Sequence, residues 1–347
     1  MKHDSSTSRQ ILRATSLFTL LAVFLLLPAA SHVINPQAAA ARPKISLAMG
    51  GDGARGFVQV GVLKWMEEHH IPIDSMVGTS MGGFVGGIYA TGVSPQEIQR
   101  LLERVDWDTT FFLGEAPYQT KGEWITKSDL SEWEDLGAFR GLKLSSLLAF
   151  LPMQSRPVAM SFSFLPQIVN SYSDLKSFDA LATPFRCTAV DLLAGDVVVL
   201  NQGSLPLALS ATMALPGLMA PVPMGGKLLA GGSPIPVGIA RSGADVVIAS
   251  YVHSRSRVGA NMSVSEQLQR SQEVATAEAD RREISQADVV IPMDTSEYTS
   301  FDLHRIDALI RLGYESAAAK QDFLLRYAVS QEDWQRYLDE RNRRRIR

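Results

Sequence analysis

The chain has 347 residues, of which 46% are hydrophobic and 20% charged, and a net charge of −3. Those values fit one large globular domain or two modest ones with an ample core. They give no electrostatic reason to expect a nucleic acid partner, and the single cysteine excludes an intrachain disulfide.

Residues 1–41 read as an export signal. Lys2, Arg9 and Arg13 form a positive start, and Leu17 to Ala30 is apolar apart from Thr19 and Pro28. Ala38 to Ala41 then offers a small-residue cleavage region. The alternative is an uncut anchor, for which the apolar run is short. The expectation is a mature protein that starts after about Ala41 and lies outside the cytoplasm, periplasmic or secreted.

Lys44 to Met49 is an apolar strand, followed by a loop from Gly50 to Gly56 and an amphipathic helix from Phe57 to about His69. His69 and His70 read as helix-terminal residues. Gly51, Gly53 and Gly56 make a Gly-x-Gly-x-x-Gly, which has two chemical uses. A dinucleotide fingerprint expects an acidic residue about twenty positions on, ending a second strand. Asp74 lies near that distance but precedes its strand. The other use is an oxyanion hole, in which backbone N–H groups of Gly51, Asp52 and Gly53 at a helix start face a negative oxygen.

The next motif favours the second use. Gly78-Thr79-Ser80-Met81-Gly82 is a Gly-x-Ser-x-Gly between the short strand Met76-Val77 and a small, apolar helix from Met81 to Ala90. Strand, sharp turn and helix are the context of a nucleophile elbow, with Ser80 at its tip. The bland alternative is a small-residue helix start with an incidental serine.

Ser94-Pro95-Gln96-Glu97 opens a further helix with a capping box. Residues 106–180 hold Trp107, Trp124 and Trp133 and two apolar runs, Leu142 to Met153 and Met160 to Pro166. They suit a lid or lipid-contact surface, or ordinary core helices, and periodicity does not separate the two. Strand patterns return at Phe185 to Val190, Val197 to Leu200, Lys227 to Leu229, Asp245 to Ala249 and Ala287 to Ile291, with a helix at Leu205 to Met213. Cys187 falls in the first of these and reads as a core residue. The alternation predicts a three-layer α/β/α fold with a mostly parallel central sheet. The C-terminal part is helical over Leu303 to Leu325 and Gln331 to Arg347. Its arginine-rich tail, from Arg341, reads as a solvated helix end, with anionic lipid contact as the alternative.

The segments GGDGARGFVQVGVLKWMEE, VGTSMGGFVGGIYATG, ATMALPGLMAPV and GADVVIAS give the chain a resemblance to the bacterial patatin-like phospholipases from about Lys44 to Tyr327. The resemblance implies a serine lipid acyl hydrolase with a Ser–Asp dyad and neither metal nor cofactor. By this resemblance Ser80 matches the nucleophile, and Gly51, Asp52 and Gly53 the oxyanion hole, with Gly56, Gly78 and Gly82 as motif glycines. The dyad aspartate, expected in an Asp-Gly-Gly, is replaced: the stretch reads Ala230-Gly231-Gly232-Ser233-Pro234, about two residues short. No Asp or Glu lies between Asp196 and Asp245 to substitute for it. Asp191 and Asp245 match structural positions, and Asp52 is expected to face solvent. An α/β-hydrolase reading would recruit His253 or His304 after Ser80.

The division expected is 1–41 as signal or anchor, 42–255 as the patatin-like domain, and 256–347 as a mostly helical part packed on it. Two functions follow. One is a lipid acyl hydrolase, weakened by the lost aspartate and touching a membrane surface. The other is a non-catalytic relative that binds lipid or a partner on the same fold.

Overall fold

Ile45–Met49 (β1) is buried along its whole length, which is the mark of a central strand covered on both faces. The computed structural model describes residues 42–105, 107, 118–120, 123–125, 177–216, 219, 221–253 and 264–345. The signal or anchor expected at 1–41 and most of the lid candidate at 106–180 lie outside them.

After β1 come α1 (Val58–Glu68), β2 (Ser75–Thr79), α2 (Ser80–Ala90) and α3 (Pro95–Arg104). Ser94 and Glu97 form the capping box at the start of α3. Tyr118–Thr120 (β3) and Glu123–Ile125 (β4) pair with each other in a separate two-stranded sheet. The chain continues through β5 (Phe185–Asp191), β6 (Asp196–Leu200), α4 (Leu205–Met213), β7 (Val222–Met224) and β8 (Lys227–Ala230). Then follow α5 (Val237–Arg241), β9 (Val246–His253), α6 (Val264–Ile284) and β10 (Val289–Asp294). Three helices end the chain: α7 (Ile306–Ala318), α8 (Gln321–Leu324) and α9 (Gln331–Arg345).

The main sheet runs β10-β9-β1-β2-β5-β8-β7, with β6 on β5. β10, β9, β1, β2 and β5 are parallel, while β6, β7 and β8 join antiparallel. The larger core fills one face, with residues of α1, α2, α3, α4 and α7. A smaller core, with Val237 and Ala240 of α5, fills the other around Ala48, Val77 and Ala249. The fold is therefore a three-layer α/β/α sandwich. Cys187 sits in the larger core, where burial pushes its thiol pKa well up.

One pairing brings the loops together. Cys187 and Thr188 of β5 pair with both β2 and β6, so those strands lie on opposite edges of β5. Val190 and Asp191 pair with β6 and β8, so β8 takes over the edge that β2 leaves at Thr79. The chain after Ala230 therefore emerges where the sheet edge passes from β2 to β8, next to the start of α2.

Three expectations are revised. β10 extends three residues past Ile291, because an edge strand tolerates Pro292. The helix expected over Leu303 to Leu325 breaks after Ala318 and resumes at Gln321. The tail is not wholly solvated. The Arg341 guanidinium lies 3.9 Å over the Tyr89 ring, donates to Glu67 at 3.0 Å and is buried. Amphipathic docking of α9 outweighs the charge that suggested exposure, because the cation finds an acid, a carbonyl and a ring together.

Candidate active site

β2 ends at Thr79 in extended backbone, and α2 begins at once with Ser80. Ser80 has φ +51°, one of two non-glycine residues in the left-handed region among those described. That conformation costs an L-residue about 1–2 kcal/mol, so the surroundings must hold it. The backbone N–H of Ser80 donates to the Thr212 hydroxyl at 2.8 Å, from the last turn of α4. The turn admits little bulk. A Cβ on Gly82 would lie 2.3 Å from the Gly50 carbonyl oxygen, and one on Gly51 would lie 2.5 Å from the Gly82 nitrogen. The two glycine motifs thus interlock backbone against backbone. Gly78 packs likewise against the Gly83 backbone, and Gly56 against the Met81 side chain.

The glycine loop is held from behind. Gln59 of α1 donates to the Gly50 carbonyl at 2.7 Å and to the Ser250 carbonyl at 3.1 Å. Arg55 is fully buried and bridges Asp52 at 2.5 Å and Glu273 at 2.9 Å. Asp52 also takes a hydrogen bond from Ser300. The expectation that Asp52 faces solvent is therefore corrected. Its carboxylate is 16% exposed and neutralised by the buried guanidinium three positions on, with Ser300 on the carboxylate and Glu273 on the guanidinium, each more than 200 positions away. Gly51 and Asp52 line the cavity that holds Ser80, whereas Gly53 turns at φ +50° against the Ser300 carbonyl.

That cavity holds about 230 Å³. Its floor includes Ser80, Thr79 and Ser233. The Ser233 hydroxyl shares hydrogen bonds of 2.7 Å with both Thr79 and Thr188, which ties the shortened loop to the end of β2. Among the described residues the Ser80 side chain has no hydrogen-bond partner, and Ser80 lines the cavity.

Ala230 ends β8, buried opposite Val190, and does not line the cavity. Gly231 donates from its N–H to the Ala214 carbonyl at 2.7 Å, and Gly232 turns at φ +102° onto the cavity wall. His253 lines the cavity beside Tyr251, while His304 does not. Asp191 ends β5 and pairs with Lys227 of β8, and Asp245 accepts from the Lys44 N–H, so both are structural.

The far wall is α6. Glu273, Thr276, Ala277, Asp280 and Ile284 reach the cavity from one face of this helix, at spacings of three and four. Asp280 accepts from the Ile235 N–H at 2.9 Å, and Glu283 from the Gly238 N–H at 2.7 Å. Burial pushes the Asp280 carboxyl above the usual aspartate range, and the Glu283 charge adds to this, against the Ile235 hydrogen bond.

A sequence profile of the family described as "Patatin-like phospholipase" matches residues 47–241, which takes in both glycine motifs and the Ala230 stretch. The chain belongs to the patatin-like phospholipase family. It is 31% identical over 211 residues to an uncharacterized NTE family protein of Mycobacterium tuberculosis, across 60% of this chain and 48% of that one. It is 32% identical over 220 residues to human patatin-like phospholipase domain-containing protein 6, across 61% of this chain and 13% of the human one. The chain thus spans about half of the mycobacterial relative's length and a small part of the human protein's. Among solved structures it is similar to VipD from Legionella pneumophila, with a TM-score of 0.42 and 14% identity over 83% of this chain and 67% of VipD.

Within this patatin-like site, sequence reasoning missed Thr212, Gln59, Arg55, Ser233 and all of α6. Thr212 lies in the quoted ATMALPG segment, so a signal for it was present. The α6 residues follow no motif, because their role comes from where the helix crosses the cavity.

Proposed function

We propose that this patatin-like protein is a serine lipid acyl hydrolase with Ser80 as nucleophile. The observation that carries this reading is Ser80 itself: a non-glycine residue held at φ +51° between strand and helix, its side chain unpartnered on a cavity. A strained turn of this kind lifts a hydroxyl clear of the backbone for attack on an ester carbonyl. The oxyanion would be received by the N–H groups of Gly51 and Asp52, near the positive end of α2. The Asp52 carboxylate would otherwise repel a developing negative charge, and its pairing with Arg55 removes that objection. A cavity of about 230 Å³ fits a scissile ester with a short acyl stretch, so long chains would extend beyond it. In this reading residues 1–41 direct export, the substrate is an acyl lipid met at a membrane surface, and no cofactor or metal takes part.

The test is hydrolysis of p-nitrophenyl butyrate and of a fluorogenic phospholipid by the purified protein and by Ser80→Ala. Turnover that Ser80→Ala abolishes is expected, and turnover that survives the substitution sinks the role of Ser80. N-terminal sequencing from the native host checks export; an intact Met1 in a soluble cytoplasmic fraction refutes it.

The buried Ala230 favours a second reading, a binding protein that retains the fold without its dyad carboxylate. Its signature would be a phospholipid or fatty acid bound stoichiometrically with no hydrolysis.

A further inference from the structure

A serine hydroxyl needs a base, and the loop that supplies one in the family has alanine at position 230. The carboxylates of the cavity are Asp52, Glu273 and Asp280. Asp52 is bound to Arg55, and Glu273 to both Arg55 and Arg270. Asp280 has no cationic partner among the described residues, and one of its oxygens is engaged by the Ile235 N–H. Ile235 belongs to the shortened loop itself. The same loop packs against α6 at Gly232, where an added Cβ would lie 2.4 Å from the Gln272 amide nitrogen, and α6 also engages Gly238 at the start of α5.

We infer that Asp280, carried on α6, replaces the aspartate missing from the Ala230 loop as the proton acceptor for Ser80. The inference rests on the reading of Ser80 as nucleophile. Its geometry is a carboxylate oriented by a backbone N–H of the degenerate loop, in the wall of the cavity that holds the serine. A base aimed by a third group is the arrangement nucleophilic catalysis requires. His253 lines the same cavity, but its ring has no orienting hydrogen bond among the described residues. Burial also makes the Asp280 carboxylate more basic than an exposed one, which suits a proton acceptor.

Asp280 and Ser80 are not in direct hydrogen bond, so the proton passes through one cavity water. The Ser80 oxygen bonds to the acyl carbon as its proton moves to that water and a water proton moves to Asp280, leaving the carbonyl oxygen as an oxyanion. The oxyanion collapses, the ester oxygen leaves with the proton held by Asp280, and an acyl-serine remains. A second water then adds to the acyl carbon and gives its proton to Asp280. Ser80 recovers that proton as the acid departs.

The test is the rate of fluorophosphonate labelling of the full chain, with the modified residue mapped by mass spectrometry, for wild type, Ser80→Ala, Asp280→Asn, Asp280→Glu and His253→Ala. Asp280→Asn keeps the oxygen that accepts from Ile235, and circular dichroism verifies that it folds. The expected result is labelling at Ser80 that falls about 100-fold or more in Asp280→Asn, recovers in part in Asp280→Glu, and stays within a few-fold in His253→Ala. Labelling at Ser80 that Asp280→Asn leaves unchanged overturns the inference and leaves Ser80 as nucleophile. Loss in His253→Ala but not in Asp280→Asn overturns it in favour of a histidine base. A wild type that labels nowhere, or equally in Ser80→Ala, overturns both the inference and the nucleophile.

Discussion

Replacing Thr212 with valine removes one hydroxyl and keeps the shape of the side chain, including the Cγ2 that packs near Gly83. The hydroxyl is the hydrogen-bond partner of the Ser80 N–H at 2.8 Å, and both residues are buried. Leaving that N–H unpaired costs about 1–3 kcal/mol. The loss falls on a residue already in the left-handed region, so the turn has a conformational gradient to relax along. Taken wholly as stability, the loss lowers Tm by roughly 2–4 °C per kcal/mol in a domain of this order of size. Taken wholly as a smaller population of the reactive turn, it slows labelling of Ser80 by about 5- to 150-fold, at 1.36 kcal/mol per decade. Differential scanning calorimetry and fluorophosphonate labelling measure the two shares on one preparation. Thr212→Ser keeps the hydroxyl and should recover most of either effect. Thr212→Val with unchanged Tm and unchanged labelling would show that the elbow holds its shape without this bond, and the reasoning would fail.

Further outcomes follow from contacts far apart in sequence. Arg341→Met removes the cation from the buried group of Glu67 and Tyr89 and should cost about 3–5 kcal/mol by urea unfolding; a loss under about 1 kcal/mol would mean α9 is not anchored there. Gly61→Ala should destabilise by about 3 kcal/mol or more, beyond ordinary overpacking, because its Cβ would lie 1.9 Å from the Ile310 carbonyl oxygen and α1 and α7 would have to separate. A well-folded variant of wild-type Tm would contradict that close crossing. The raised Asp280 pKa carries a stability sign. The folded state holds this proton more tightly than the unfolded chain, so the contribution is present below the ordinary aspartate range and lost as pH rises through the folded value. Asp280→Asn should therefore gain on wild type as pH rises across that window and be the more stable at neutral pH. Glu283, Glu273 and Arg281 of α6, with Asp52 and His253 opposite, are the other charged or titratable groups nearby. A stability difference that does not vary with pH would contradict the assignment.

The sequence alone determined the layers and the position of the serine. Alternating strand and helix runs mark which faces must be buried, and that information is local: it survives in Ile45–Met49, in Leu205–Met213 and in the Ser94–Glu97 capping box. Ser80 was legible because a strained turn needs glycines at fixed spacings on either side of it. Element ends were less so. β9 runs on to His253 because parallel β10 supplies partners as far as Asp294, a pairing that no property of the β9 residues announces.

What surrounds Ser80 was decided by tertiary structure. Thr212 meets it across 132 positions, Glu273 meets Arg55 across 218, and Asp280 meets Ile235 across 45. Each pair depends on where helices cross and on which sheet edge a strand takes, and side chains far apart in sequence leave no periodic trace of such a meeting. The Ala230 stretch shows the same division. Its sequence reports a lost carboxylate, but only the packing of α6 over the shortened loop brings another carboxylate to the cavity. A helix face is defined locally, whereas the surface it covers is set by the fold as a whole.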